Sequence, residues 1–528
     1  MAKVKKSATP VNQPRAQDHL TMHLFAPGMT TLHRAGLGGL ACTLNYIKKA
    51  REQGMLFDED LPGAPWEDDR PPWDITERSL TLQFGKPENA REYLKRLFHI
   101  AFQIKDGVIY LPGQYAWEPS LAVRNELQLG LTLTFLQFGP HRQLSDPTPY
   151  AVDLEGSGHF ITVELRRCNY FLHQDGWDQL TDSRTGMLRL TPFAVINAFY
   201  PGGMIRHDAF KIETRVVETA AGMLPLYFAA IGCLSLPINR GAGVLVVPDV
   251  EDLLRFAEDR PVLTPTSLLE CRIGGTSDAV LQLQTRARVR GVIDQLGVPT
   301  CWGMKLTPTT WNMKQKARVD AFRQDGAQVA RVQPEEESRE ERRLHRFQVA
   351  LAELAPYVVT RSVREAQGGG RDRVTIEREE SYLADSVVRP LVAENLARDW
   401  PWYRNFVRVY RSSLSGLQRE RRGLHAMVTD DQMSDDPREL TVVRAFQDAL
   451  RSRFREIAEI YGDRPSLMMK KWSDESNRWG RAFSGAMTAD QFRKLVCDLF
   501  RRGGQNPELQ ERWQQLLPML RPATWQHA

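Results

Sequence analysis

The sequence predicts an α+β protein: an N-terminal mixed body containing antiparallel sheet, followed by a C-terminal helical bundle. Three observations carry this. Residues 100–250 show period-two alternation broken by Gly and Pro turns. A dense run of mixed charge marks a change of character near residue 330. Beyond residue 376, apolar residues recur every three or four positions. Four segments result: a polar, mobile N-terminus (1–20), the α+β body (21–335), a charged helix and flexible loop (336–375), and the bundle (376–528).

In chain order, Thr30 and Thr31 open a helix whose face carries Leu32, Gly36, Leu37, Gly38, Gly39, Leu40, Leu44 and Ile47. Each mid-helix glycine costs about 1 kcal/mol relative to alanine. The cluster therefore predicts close approach of another backbone, and it lacks the order of a phosphate-binding loop. Strands are predicted at Val108–Leu111, Leu131–Phe135, His159–His173, Leu188–Tyr200, Phe210–Val217 and Val244–Val247. Turns fall at Pro201-Gly202-Gly203 and Asn239-Arg240-Gly241. The run Pro334–Arg343 begins a salt-bridged helix continued by Leu344, Phe347, Leu351 and Leu354, and Gln367–Gly370 reads as a loop. Leu440, Val443, Phe446, Leu450, Phe454, Ile457 and Tyr461 mark one bundle helix. Thr488 and Gln491 form a capping box for the last, which carries Phe492, Leu495, Val496, Leu499 and Phe500 and stops at Gly503-Gly504.

The chain has 528 residues, 42% of them hydrophobic, 26% charged and 9% aromatic, with a net charge of +5. That is an ordinary globular composition, large enough to build a core without metal or disulfide staples. No apolar run approaches the ~20 residues of a membrane span. The six cysteines, at 42, 168, 233, 271, 301 and 497, include no Cys-x-x-Cys pair and suit a reducing cytoplasm. No P-loop, His-Glu-x-x-His helix or Gly-x-Ser-x-Gly elbow is present. His207-Asp208 is a pair that a metal phosphohydrolase uses, but further ligands are not apparent. Neither catalysis nor a cofactor nor a metal site is expected.

Charge points elsewhere. Residues 401–528 hold 22 Lys and Arg against 16 Asp and Glu, so the last quarter carries the whole formal excess. Four constellations suit nucleic acid. Arg206 and His207 follow Gly202-Gly203, a turn able to approach phosphate, or an ordinary hairpin. Arg286, Arg288 and Arg290 line one face if they lie on a strand and disperse on a helix. Lys305, Lys314, Lys316 and Arg318 interleave with Trp302 and Trp311, either as a stacking surface or as two core tryptophans beside a basic loop. Arg444, Arg451 and Arg455 share one helix face, with Lys470, Lys471 and Arg501-Arg502 adding positive ends; the alternative is a solvated face.

Together, three sets of strings resemble one family. They are Thr31–Leu40 (TLHRAGLGGL), Ala393–Leu396 with Trp400–Phe406 (WPWYRNF), and Phe492–Leu495 with Asp498–Phe500 and Leu509–Trp513. They are similar to the large subunit of a type I CRISPR Cascade, the DevT-like, MYXAN-subtype branch of CRISPR-associated protein eight. Members of that family continue past Trp525–Ala528 with another apolar helical stretch. The resemblance implies a non-enzymatic cytoplasmic subunit that joins crRNA, backbone, handle-binding and small subunits. Its N-terminal body recognises the PAM of target double-stranded DNA and begins unwinding. Its bundle resembles the small subunit and lines the displaced strand, and the complex recruits a helicase-nuclease or transposition proteins. Guide pairing supplies the remaining specificity, as in other RNA-guided effectors. On this reading Arg206 and His207 meet the PAM duplex. Lys305, Lys314, Lys316 and Arg318 meet RNA or target strand, and Arg444, Arg451 and Arg455 meet the non-target strand. Met427 and Met433 precede the clean helical region, so an internal start at Met427 gives a 102-residue small-subunit-like product; otherwise both are loop methionines. A metal-dependent nuclease and a scaffold without nucleic-acid contact are the competing classes.

Overall fold

The computed structural model describes residues 17–502 apart from 67–69, 138, 155–157, 197–198, 202–205, 208–211, 214–215, 239–240, 294–295, 299, 308–317, 321–333, 368–373, 407–413, 435–436 and 487, together with 507, 511–512 and 514. The chain divides into two compact units: one of Met1–Glu335 with Pro356–Asp385, the other of Glu336–Ala355 with Ser386–Ala528.

The first unit opens with strand β1 (His19–His23), so the polar N-terminal segment is already sheet at its end. Helix α1 (Thr31–Glu52) follows, then β2 (Trp73–Ile75) and β3 (Ser79–Gln83), which form an antiparallel sheet in the order β1-β3-β2. Leu20 and Met22 alternate inward from β1, and Leu80 and Leu82 from β3. Helix α2 (Ala90–Ala101) and the hairpin β4 (Gln103–Lys105)–β5 (Val108–Tyr110) come next.

Helix α3 (Leu121–Leu133) overturns the strand predicted at Leu131–Phe135. The Leu-Thr-Leu-Thr-Phe alternation closes a helix, in which Thr134 Oγ1 donates to the Gly130 carbonyl at 2.9 Å and Phe135 turns into the core. Strands β6 (Arg142–Leu144), β7 (Thr148–Asp153), β8 (Phe160–Leu165) and β9 (Cys168–Phe171) pair as β6-β9 and β7-β8. The single strand expected over His159–His173 is therefore two, broken at residues 166–167. A short helix α4 (Gly176–Leu180) follows. Of the predicted strands 188–200 and 210–217, the described parts keep only short ladders: β10 (Phe193–Ala194) with β13 (Val217–Glu218), and β11 (Arg206–His207) with β12 (Ile212–Glu213).

Helix α5 (Ala220–Gly232), unforeseen in the β-rich region, is the centre of the unit. It is apolar on every face, with Met223 to Ala230 all buried, as a fully enclosed helix must be. It runs parallel to α1 at very short range. A Cβ on Gly36 would overlap the Pro225 carbonyl, one on Gly39 the Phe228 carbonyl, and one on Gly232 the Ala35 carbonyl. The α1 glycines thus do what their clustering predicts.

The four-stranded antiparallel sheet β14 (Leu234–Ile238), β15 (Ala242–Asp249), β16 (Thr300–Thr307) and β17 (Arg318–Asp320) lies beyond α5 in sequence. Between β15 and β16 come α6 (Leu253–Asp259), α7 (Leu268–Cys271) and α8 (Thr276–Val289). Arg260, only 2% exposed, ties these parts together. Its guanidinium donates to the Gly232 carbonyl (2.9 Å), the Cys233 carbonyl (2.7 Å) and Thr264 Oγ1 (2.9 Å). A cation at the carbonyl end of α5 is favoured by the helix dipole and satisfies acceptors that the helix cannot.

The segment after α9 (Pro334–Glu353) corrects the predicted onset of the helical region. Tyr357–Gln367 (β18) and Val374–Ala384 (β19) form a long antiparallel hairpin, and the helices resume at α10 (Arg389–Ala397). The alternation Val-Thr-Ile-Glu-Arg-Glu belongs to a strand. Gly368–Gly370 lie outside the described residues.

In the second unit, α9 buries Leu344, Phe347, Ala350 and Leu354, and Arg343 pairs with Glu340 as the charge run predicts. Gly423, on the helix Arg421–Thr429, lies against the Glu353 carbonyl. Buried Glu420 accepts from Ser386 Oγ (2.7 Å) and from the N–H groups of Val387 (2.6 Å) and Val388 (3.3 Å), at the entry to α10. The helices Pro437–Tyr461, Pro465–Gly485 and Ala489–Arg502 enclose a core of their own: Ala445, Ala449, Trp479, Val496, Leu499 and Phe500. The Thr488–Gln491 capping box forms, each backbone N–H donating to the other side chain at 3.2 and 3.3 Å. All six cysteines are free thiols, and only Cys497 is exposed.

His173 is 1% exposed and packs among Phe102, Phe135, Phe171, Phe199 and Tyr227. Burial pushes its pKa down to about 3, and that of buried His33 to about 4. The unfolded chain therefore takes up these protons first. Each histidine's contribution is fully present above pH 6.5 and is lost as pH falls from there towards the folded value. His173→Phe keeps the packing and removes one titration. Between pH 7 and pH 5 it is expected to gain about 2 kcal/mol on the parent chain, measured by denaturant melts. Parallel pH dependence of the two proteins would contradict this. Gly39→Ala is expected to cost about 3 kcal/mol in the same assay, because neither helix backbone can retreat without opening the core.

Candidate nucleic-acid interface

The structure sorts the basic constellations into cations held by the fold and cations presented by it. Arg286, Arg288 and Arg290 belong to the first body, on and just after α8 rather than on a strand, so the line of three guanidiniums does not exist. The apolar positions Ala279, Val280, Leu283 and Ala287 face the core and set the helical period. Arg286 is buried; its Nη1 donates to the Leu263 carbonyl at 2.5 Å, and its Nε lies 3.9 Å from Glu270. It is a structural residue. Arg288 is half-buried. Arg290 is exposed, with its guanidinium carbon 5.6 Å from the ring centre of Trp117.

Trp117 is 57% exposed and was missed in the sequence, although Trp-Glu-Pro after a turn-forming segment is a place where an aromatic ring has little helix or strand to cover it. Phe25 is a second such ring, 51% exposed, with Arg34 at 5.7 Å and Arg78 at 5.8 Å. Arg34 Nε also donates to Asp249 at 2.7 Å. An exposed ring beside a guanidinium offers a stacking face and a positive charge, the combination that single strands use.

Arg206 and His207 lie on β11, opposite Glu213 and Ile212. Asp208, the partner in the His-Asp pair, falls outside the described residues. Lys305 is half-buried on β16, in register between Val244 and Asp320, and Arg318 begins β17. Trp302 packs against the hydrophobic core, so one of the two tryptophans takes the core reading. Trp311, Lys314 and Lys316 lie outside the described residues.

On Pro437–Tyr461 the period of 3.6 puts Arg444, Asp448, Arg451 and Arg455 on one stripe. Arg444 is exposed and lies 3.2 Å from Asp431. Asp448 is buried and neutralises part of the stripe: Arg451 Nη1 approaches it at 3.4 Å and Arg512 Nη1 at 3.0 Å. Arg455 is exposed and has no ion-pair partner among the described residues. Lys470 and Lys471 are exposed on Pro465–Gly485, beside Trp472, whose Nε1 donates to the Phe454 carbonyl at 3.0 Å. Arg501 pairs with Asp498 at 3.1 Å. The face is thus a mixed ion-pair lattice with an unpaired cation at Arg455 and lysines on the next helix.

Met427 and Met433 are not loop methionines. Met427 is fully buried on Arg421–Thr429. Met433 is buried in a 3-10 turn, and its carbonyl accepts from Trp402 Nε1 at 3.0 Å. Among the described residues, no group of three or more His, Cys, Asp and Glu is placed to hold a metal ion. No helix among them is long and apolar enough to cross a membrane.

Arg286→Ala is expected to cost about 2 kcal/mol, by stranding a buried carbonyl, whereas Arg455→Ala should leave the melting temperature unchanged. Thermal melts of the two variants check this division. Equal effects would mean that the exposed face is structural.

Residues 21–227 match the DevT N-terminal domain and residues 430–528 the DevT C-terminal domain. The chain is 33% identical over 537 aligned positions to the CRISPR-associated protein Cas8a1/Csx13 of Myxococcus xanthus (strain DK1622), covering 96% of this chain and 86% of that protein. The chain belongs to this DevT-like Cas8 family of CRISPR-associated large subunits.

Proposed function

We propose that this family member serves as the large subunit of a crRNA-guided type I interference complex. In that role it recognises the PAM, aids unwinding of target DNA, stabilises the displaced strand, and recruits a helicase-nuclease or transposition machinery. The observation that carries the reading is the whole-length identity to Cas8a1/Csx13, which reaches through both units. Its chemistry fits. A protein that binds without cleaving needs exposed cations and aromatic rings, which Arg290–Trp117, Phe25–Arg78 and Arg455 supply. A metal-dependent nuclease needs a cluster of carboxylates and histidines, and the described residues offer no such cluster. On that kinship, and not on the absence of a cluster, we favour a non-catalytic, cytoplasmic role.

Within this reading Arg206, His207, Lys305, Lys314, Lys316 and Arg318 are assigned to PAM-duplex, guide-RNA or target-strand contacts. Of the separate series Arg286, Arg288 and Arg290, Arg286 is withdrawn because it is buried against a carbonyl. Arg290 stays, now paired with Trp117 instead of with its neighbours in sequence. Arg444, Arg451, Arg455, Lys470 and Lys471 are assigned to the displaced strand, to which phosphate contacts give affinity without sequence preference.

The separate core of the last three helices supports an internally started small-subunit-like product as well. The matched C-terminal domain begins at residue 430, between Met427 and Met433. A start at either methionine keeps that core intact and removes the contacts of Arg421–Ala426.

A tagged purification, with sequencing of bound RNA and of the N-terminus of any short product, tests both readings. CRISPR-repeat RNA with backbone subunits is the expected result, and its absence from an assembled, expressed locus would overturn the proposal. Reversing Arg444, Arg451 and Arg455 to Glu is expected to weaken target-DNA binding by at least about tenfold and to flatten its salt dependence. Unchanged binding would remove that face from the interface.

A further inference from the structure

The turn after α10 is strained at two places. Asp399 (φ +60°) and Asn405 (φ +66°) both adopt the left-handed conformation that residues other than glycine rarely take. Such strain persists only where the surroundings over-determine it, and it collects at functional sites. Here Asn395, fully buried, does the holding. Its carboxamide N–H groups donate to the carbonyls of Trp402 and Arg404, each at 2.8 Å. Trp400 N–H donates back to the Asn395 carbonyl at 2.8 Å. Buried Trp402 pins the middle of the turn through its bond to Met433.

These contacts fix the backbone from which the Trp400 and Arg404 side chains project. The guanidinium carbon of Arg404 lies 3.9 Å from the centre of the Trp400 ring, which is direct stacking distance. Arg398 also approaches that ring, at 5.0 Å, but it is paired with Glu394 at 2.8 Å. Arg404 is exposed and has no carboxylate partner among the described residues. A guanidinium held against an indole keeps its rigid fork of N–H donors directed at solvent, and it loses little rotamer freedom when a ligand arrives.

We propose that Arg404, held against Trp400 by the strained Asp399–Asn405 turn, is a phosphate-binding residue for a nucleic-acid strand. The fork matches two phosphate oxygens at once. Because the contact is to phosphate and not to a base edge, it contributes affinity and positioning instead of sequence preference. The assignment of the phosphate to a nucleic acid rests on the function proposed above.

The test uses the full chain in its assembled complex, with single-stranded and duplex DNA oligonucleotides as probes across a salt series. Arg404→Ala is expected to weaken binding about tenfold and to make the log–log salt slope shallower by roughly 0.7–0.9, the loss of one phosphate contact. Its melting temperature should not move, because the side chain is exposed. Arg404→Lys keeps the charge and loses the stacked fork, so it is expected to recover only part of the affinity; full recovery would overturn the stacked geometry. If the parent complex binds DNA and Arg404→Ala binds it equally, this inference fails while the proposed function stands; loss of a co-purifying protein in that case would make the turn a protein contact. If the parent complex binds no DNA, both fail. Calorimetric titration with inorganic phosphate separates the remaining source. An Arg404-dependent site tighter for free phosphate than for the oligonucleotide would overturn the assignment to a strand.

Discussion

The first unit depends on the approach of two helix backbones. Helices α1 and α5 meet where Gly36, Gly39 and Gly232 leave no side chain between them, so carbonyls occupy the space that a methyl group would fill. A helix with this many interior glycines is weak in isolation. It is stable here because it covers α5, an apolar helix with no face for water. Everything that follows is placed from this pair. Arg260 closes the carbonyl end of α5, and Thr264 relays that contact to the Gln114 carbonyl. At the other end Thr30 caps α1 through His33, whose Nε2 lies 3.5 Å from Glu218 at the start of α5. Burial lowers the pKa of His33 to about 4 and raises that of Glu218, in each case disfavouring the charged form.

The second unit is organised by polar groups inside apolar surroundings. Glu420 supplies acceptors at the entry to α10, and Asn395 ties the turn that leaves it. Asp448 lies beneath two arginines. Removing one partner of such a set strands the other, so these contacts specify geometry more than they add net stability. The last three helices stand apart in having a core of their own. This architecture lets one end of the chain be matched, and proposed, as a module.

Much of the basic surface is neutralised locally. Arg343, Arg398, Arg453, Arg478 and Arg501 each pair with an acid three or four residues away. Such pairs contribute little to stability. They do reduce the number of cations individually available to a polyanion, while leaving the net excess of the last quarter unchanged. Among the described residues that remain accessible are Arg455 on a helix stripe, Lys470 and Lys471 on the next helix, Arg290 beside Trp117, and Arg404 on Trp400.

The sequence by itself determined the period of the long helices and the role of the α1 glycines. It also determined the Thr488–Gln491 cap, the free cysteines and the family, because each is written in neighbours within a turn or two of one another. Leu131–Phe135 was misread, and the alternating arginines 286–290 stayed open between strand and helix, because five residues of period two fit the end of a helix as well as a strand; the apolar positions upstream decide the matter. Helix α5 was missed because a helix buried on all faces has no periodicity to show. Neither strand of the hairpin Tyr357–Ala384 was foreseen, only a loop at Gln367–Gly370, and its second strand carries as many charges as a surface helix. Only the tertiary structure could separate Arg286 from Arg290, or bring Trp117, Phe25 and Arg404 forward. Whether a cation is used by the protein or offered to a partner depends on which carbonyls, carboxylates and rings the fold brings to it from distant parts of the chain, and sequence spacing carries no record of that distance.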